Sequence, residues 1–389
     1  NKQHNIQLRL RANQRKLQLS EHGVWERKLF GRGQGEDNRK IARMIVAGRT
    51  EEEIFHALGL PYIAPEIREG DGEIEAAASG NLPRLVELGD LQGDLHLEPK
   101  SIADASAMLH AAKTAGLAYV CFVLERAQLA AFVDELRLLE RNLGVRALVG
   151  VAVDINDDGS LDHADDLGDV VDLVFAAVRD AKPGVDVTER IVRALQSGTV
   201  DVLMRPTGRM LLEHGGGDVD IWNVLKAATR HRVLVEVGGD PRRLDLDAKS
   251  CRTNIEVGAL LSIASCATSP DDMARRLSFA TSQARRGWTT RSLVGNALAL
   301  ADLERWLRER ARPATSSKTE RKQLLEAWVS DVRDALLDAP ATEPLDDDVI
   351  ARLDAFLSGA SDPPLERALA RTSGNALQRA FELLSRART

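Results

Sequence analysis

The chain has 389 residues, 44% of them hydrophobic, and a formal net charge of −7. That length exceeds one typical compact core and predicts about two or three domains, while no apolar run reaches the roughly 18 residues of a membrane span and the N-terminus is too polar for a signal peptide. Three cysteines, Cys121, Cys251 and Cys266, lie far apart without zinc or disulfide spacing, which excludes a cysteine framework and suggests a reducing, cytoplasmic setting.

The charge is uneven. Residues 1–49 carry 12 Lys or Arg against 4 acids, so a basic start precedes an acidic remainder. Such asymmetry favours a polyanion-binding face at the N-terminal end. Residues 1–88 read as basic amphipathic helix alternating with loops, with Ile6, Leu8, Leu10, Leu17 and Leu19 as apolar positions. "GRGQGEDN" (31–38) reads as a flexible loop, and "TEEEIFHALG" (50–59) as a helix capped by Thr50, with Glu53 three residues on and Gly59 at its end. "LPYIAPEIREGDGEIEAAASGNLP" (60–83) reads as an extended connection and a boundary.

From 89 to 312 short β-branched strands alternate with helices. The strands are "GDLHL" (93–97), "AYVCFVL" (118–124), "ALVGVAVDI" (147–155), "VDLVFAAV" (171–178), "VDVLMRP" (200–206), "RVLVEVG" (232–238) and "ALLSIAS" (259–265). Seven β-α units in series predict a parallel sheet closed into a distorted TIM-like α/β barrel, with any chemistry at the C-terminal ends of its strands. Residues 313–389 open with a polar linker and continue as helices, a C-terminal extension suited to docking a protein partner.

Several stretches together, in order and at natural spacing, resemble the bacterial family X DNA polymerases. They are "NKQHNIQLRLRANQRKLQLSEHGVW", "ALGLPYIAPEIREGDGEIEAA" running into "LVELGDLQGDLH", then "PTGRMLL", "DVDIWNVLKAA", "DPRRLDL" and "ARRGWTT". The resemblance covers roughly residues 1–310 and implies a small α+β polymerase thumb (1–88) followed by a PHP (polymerase and histidinol phosphatase) barrel (89–312). The family's palm, with its magnesium-binding aspartates, has no counterpart in these residues, so the chain reads as a piece of a longer polymerase.

The resemblance implies DNA, gapped or primer-template, as the partner. Asn5 and Arg9 occupy positions that face the nascent base pair and template, and their i, i+4 spacing puts them on one helical face. Arg11, Arg15, Lys16, Arg27 and Lys28 are expected to add phosphate contacts. The plain alternative is a solvated basic helix face.

PHP domains hold a metal cluster with His, Asp and Glu. Its His-x-His pair is met here by His96 and Glu98, its Asp-His by Leu124 and Glu125, its glutamate by Ala152, two further histidines by Arg179 and Arg205, and its Asp-x-His by Cys266 and Thr268. Of that set His96 alone is retained, with Glu98, Glu125 and Cys266 as a weak remnant. Leu and Ala remove donors, and arginine brings fixed positive charge where cations would sit. A degenerate PHP site without manganese or zinc is expected, and magnesium would belong to the palm. Arg179, Arg205 and Arg209 either hold a phosphate at the barrel mouth or pair with Asp180, Asp154, Glu98 or Glu125.

Other features read as ordinary structure. "GRGQG" and "EHGGGD" lack phosphate-loop spacing, "NDDGSLD" (156–162) resembles a plain turn, and the scattered tryptophans read as packing residues. The expected function is thumb-type DNA binding in a repair polymerase, with a catalytically inactive barrel as scaffold or clamp. Alternatives are a residual metal-dependent phosphoesterase or 3′-5′ exonuclease, and a protein-interaction module.

Overall fold

The computed structural model describes residues 1–26, 45–162, 171–179 and 186–309. Arg27, Lys28, Asp180, the 31–38 loop and the C-terminal extension expected at 313–389 lie outside the described residues. Among the described residues no helix is long and apolar enough to cross a membrane.

Helix α1 (Lys2–Gln14) starts at Asn1, whose side chain accepts a hydrogen bond from the Gln3 amide at 2.9 Å. Its buried stripe is His4, Leu8 and Ala12, at i, i+4, i+8, so Ile6 and Leu10 stay 39% and 56% exposed. The expected helical role of Leu17 and Leu19 is corrected. The helix stops before Lys16, which has φ +61°, and both leucines belong to strand β1 (Leu17–Ser20), paired antiparallel with β2 (Gly23–Glu26). Strand β3 (Ile45–Ala47) joins β2, and at Gly23 (φ +125°) a Cβ would stand 2.4 Å from the Ala47 carbonyl, so the chain needs glycine there. Helix α2 (Glu51–Ala57) is capped by the Thr50 side chain on the Glu53 amide, 3.3 Å.

The expected extended connection at 60–83 is instead packed. Ile63, Ile67, Ile74 and Ala77 are buried with Leu8, Phe55, Leu58 and Trp288, and Glu73–Ala78 forms helix α3. Prolines and glycines punctuate this run, but its isoleucines carry it into the core between thumb and barrel. Arg285–Glu66 (2.7 Å), Arg286–Glu69 (2.8 Å) and Val86 amide to Thr289 carbonyl (2.9 Å) fix the joint.

Seven parallel strands follow: β4 (Gly93–Leu97), β5 (Tyr119–Leu124), β6 (Arg146–Asp154), β7 (Leu173–Ala177), β8 (Val202–Leu203), β9 (Leu234–Gly238) and β10 (Leu261–Ala264), hydrogen-bonded in chain order. Helices α4 (Ile102–Thr114), α5 (Leu129–Leu143), α6 (Val187–Gln196), α7 (Ile221–His231), α8 (Ala248–Val257) and α9 (Pro270–Arg286) cover the outside. Alternation sorts each strand: Tyr119, Cys121 and Val123 of β5 fill the barrel interior, while Val120, Phe122 and Leu124 pack on the helices. Helix α10 (Leu300–Arg308) presses Leu303 and Leu307 into the interior cluster, and the Tyr119 hydroxyl donates to the Leu298 carbonyl at 3.0 Å.

The seam between β4 and β10 is closed mostly by side chains. The buried Asn296 amide donates to the carbonyls of Gly93 and Ile263 (both 2.7 Å) and accepts from the Ile263 amide (3.0 Å). A Leu97–Ala267 bridge and the Ser265 amide on Asp94 (3.0 Å) complete it. The architecture is the expected nearly closed TIM-like barrel behind a thumb. Strand β8 is shorter than the predicted 200–206, because Asp201 turns its carboxylate onto the Val174 amide (2.7 Å) and Arg205 adopts φ +51°.

Candidate functional site

The end of β4 sets His96 at the barrel mouth with no exposed surface. Its Nδ1 meets the carboxylate of buried Glu236 from β9, and its Nε2 meets Glu98 Oε1 at 3.0 Å. Cys266 Sγ lies 3.6 Å from Nδ1. Burial alone would lower the imidazole pKa, but the Glu236 carboxylate outweighs it and holds the ring protonated. Hydrogen bonding to His96, opposed by burial and aided by the charges of His96, Arg205 and Arg276, holds Glu98 at about 2. Burial pushes the Cys266 thiol up to about 11 and Asp94, which accepts from the His96 amide at 3.3 Å, up to about 6. Arg205 and Cys266, both with φ +51° at strand ends, hold a backbone conformation unusual for residues with a side chain.

One donor atom from each of His96, Glu236 and Cys266 falls within 4.8 Å of the others, a spacing that one ion could bridge. The chemistry of the set does not fit the PHP cluster. To bind there, an ion would have to displace the proton that Glu236 holds on the imidazole and the proton of the buried Cys266 thiol. Arg205 stands 3.1 Å from Glu98, and Arg276 donates to the Cys266 carbonyl at 2.9 Å, so fixed positive charge occupies the same mouth. Leu124 and Ala152 have no donor. Glu125 is exposed and caps the 3₁₀ turn Arg126–Gln128, so its expected place among the remnant ligands is corrected.

The three expected mouth arginines do not converge. Arg179 pairs with Asp154 at 2.6 Å, in a separate depression lined by the 154–160 turn. Arg205 pairs with Glu98. Arg209 is corrected from a mouth cation to an internal clamp: its guanidinium donates to the carbonyls of Arg243 (2.7 Å) and Leu244 and pairs with Asp247 at 3.4 Å. Each has the ion-pair partner that a structural network requires.

Sequence reasoning missed Glu236, Arg242, Arg243 and Asp245. Glu236 was readable in "RVLVEVG", since it shares parity with inward-facing Leu234 and a carboxylate on a barrel's inner face is rarely incidental. Arg242 and Arg243 lie in "DPRRLDL". Together with Arg205, Arg276 and Glu98 they line a cavity of about 30 Å³ at the mouth.

On the thumb, Asn5 and Arg9 are exposed on α1. The buried stripe beside them is pinned by His4, 2.6 Å from Glu73, whose carboxylate also accepts from the amides of Gly70 (2.8 Å) and Asp71 (2.7 Å). Arg11 points inward and donates to the carbonyls of Leu58 (2.9 Å) and Gly59 (3.1 Å), which removes it from the expected phosphate contacts. The Arg15 guanidinium packs over Gly59, where a Cβ would lie 2.7 Å from it, and Lys16 is exposed.

The sequence model of the DNA polymerase beta thumb matches residues 1–69, the segment holding α1 to α2. The DNA polymerase/3′-5′ exonuclease PolX of Bacillus subtilis (strain 168) is 30% identical over 326 residues, which is 79% of this chain and 54% of that protein. The chain thus spans about half the length of the curated relative it matches. The thumb match, the likeness to this relative over most of the chain and the seven-stranded parallel barrel that follows the thumb together support the chain as a C-terminal part of a family X DNA polymerase.

Proposed function

We propose that the chain supplies the thumb-type DNA grip of a family X repair polymerase, acting in the cytoplasm on gapped or primer-template DNA, with its barrel as a metal-free scaffold. Nucleotidyl transfer belongs to the family's palm, and the proposal concerns the thumb and barrel. The observation that carries it is the exposure of Asn5 and Arg9 one turn apart on a helix whose buried stripe is locked by His4 and Glu73. Such a helix presents donors to minor-groove acceptors or phosphates without having to order itself on binding. The test is binding of a gapped duplex across a salt series. Arg9→Ala is expected to weaken binding and flatten the log-log salt slope by about 1, one phosphate contact's share. Binding indifferent to salt would sink the reading.

A second reading, residual hydrolysis, is favoured by the three clustered donors at the mouth and by the exonuclease in the relative's name. It requires strand cleavage with manganese that disappears in His96→Ala. The metal-free reading expects no cleavage and no stoichiometric metal after purification.

A further inference from the structure

We propose that His4 and Glu73, tied to the barrel through Arg285 and Arg286, are positioning residues for DNA: they fix the roll of α1, so that the barrel aims Asn5 and Arg9 without touching the strand. The proposal rests on the DNA-binding reading above and names what the barrel contributes to it. His4 is 3% exposed and Glu73 fully buried, and the imidazole Nδ1 donates to the Glu73 carboxylate at 2.6 Å. The same carboxylate accepts from the Gly70 and Asp71 amides, at 2.8 and 2.7 Å, so the 70–73 turn holds it in place against the ring. His4 Nε2 is buried without a hydrogen-bond partner among the described residues. A histidine that leaves one ring nitrogen unsatisfied is a poor filler, since an apolar ring would pack beside Phe55 without that cost. What the polar pair supplies and an apolar one lacks is direction.

The turn that grips His4 is itself seated on the barrel. Gly70 lies so close to α1 that a Cβ there would stand 2.6 Å from Gln3 Cγ, and its φ of +80° suits glycine. Glu69 joins the two bodies: one carboxylate oxygen accepts from the side chain of Asn1, the α1 cap, at 3.4 Å, and the other accepts from Arg286 of α9 at 2.8 Å. Arg285, beside it on α9, donates to Glu66 at 2.7 Å and to the Val86 carbonyl at 2.9 Å. A path of hydrogen bonds and ion pairs thus runs from the last turn of α9, through residues 66–73, to the first turn of α1, where Asn5 follows His4.

Helix geometry makes such a lock useful. Side-chain tips lie about 5–6 Å from a helix axis, so a roll of about 20° moves them by about 2 Å, enough to break a hydrogen bond. Leu8 and Ala12 share the buried stripe of α1, but apolar contacts carry no directional preference. The His4–Glu73 bond is the buried contact of that stripe that resists a roll.

The test uses the full chain, a duplex with a one-nucleotide gap and one salt concentration, with folding checked by circular dichroism. His4→Phe keeps a ring and removes the directed bond, and affinity is expected to fall about tenfold, the share of one charge-assisted contact. His4→Asn, whose side-chain amide can donate to Glu73, should recover most of that loss. In the Arg9→Ala background His4→Phe should cost less than about twofold, because a contact already removed cannot be misaimed. The paired substitution Arg285→Gln/Arg286→Gln, made on the barrel, should show the same loss and the same dependence on Arg9, and it replaces His4→Phe if that variant does not fold. Losses that simply add to that of Arg9→Ala mark separate DNA contacts or plain fold stabilisers, and they overturn the positioning role, as does full affinity in either folded variant. Should the wild type bind no DNA, the thumb reading has failed on its own. Amide exchange then judges the lock: residues 8–12 must exchange faster in His4→Phe and in Arg285→Gln/Arg286→Gln while β5 does not, and unchanged exchange overturns the lock as well.

Discussion

Replacing Glu236 with Gln keeps the side chain's shape and removes the charge opposite His96. Both partners are buried, 1% and 0% exposed, and the ring is held protonated by this carboxylate. Removing one member of such a pair typically costs about 3–5 kcal/mol, because the other charge is left without compensation. Glu98 still faces Nε2 at 3.0 Å and is 37% exposed, so the lower end, about 3 kcal/mol, is expected here. For a unit of the barrel's size that corresponds to a fall of roughly 6–12 °C in melting temperature. His96→Leu should cost a similar amount by stranding Glu236. The double replacement His96→Leu/Glu236→Leu removes both charges and is expected within about 1 kcal/mol of the wild type. Thermal and urea unfolding at neutral pH, followed by circular dichroism, measures all three. The reasoning fails if the double variant is as unstable as the sum of the singles. It also fails if a chelator lowers the wild-type melting temperature, which would mean that an ion, and not a proton, holds the cluster together.

Three further outcomes follow from particular contacts. Asp94 has its folded pKa raised from 3.8 to about 6 by burial, so its contribution is full below pH 4 and is lost as pH rises through 6; between pH 4 and pH 7 wild-type stability should fall relative to Asp94→Asn by up to about 3 kcal/mol, read from urea midpoints at the two pH values. Arg11→Gln should lower thumb stability by about 1–3 kcal/mol through the orphaned Leu58 and Gly59 carbonyls while leaving the salt slope of DNA binding intact, the reverse of Arg9→Ala. Asn296→Ala opens the β4–β10 seam and leaves three buried backbone groups unpaired, so amide exchange at Ile263 should accelerate and stability fall by at least about 3 kcal/mol.

What the sequence disclosed depended on how local the determining physics is. Strand β4 falls on its predicted residues because Gly93 and Pro99 bracket a short alternating run, and Thr50 caps its helix because the cap reaches only three residues ahead. Leu17 and Leu19 were misplaced because basic helix and strand share that composition, although their i, i+2 spacing favoured the strand. The Arg11 assignment failed for a different reason. Its partners, the carbonyls of Leu58 and Gly59, are 47 and 48 residues away, and no helical periodicity reports where a guanidinium ends up. The mouth was least legible, since His96, Arg205, Glu236 and Cys266 come from β4, β8, β9 and β10 or the residues just after them, and only barrel closure brings them together.

The composition of that mouth has its own logic. A barrel that carries acids around a cation site must, without cations, lose the acids or acquire permanent positive charge, because an uncompensated buried carboxylate is costly. Under the proposed metal-free reading, Leu124 and Ala152 take the first course. Arg205 against Glu98, Arg179 against Asp154 and the retained proton of His96 against Glu236 take the second. Each of these substitutions is accounted for by neutralising a neighbour, and none needs a ligand.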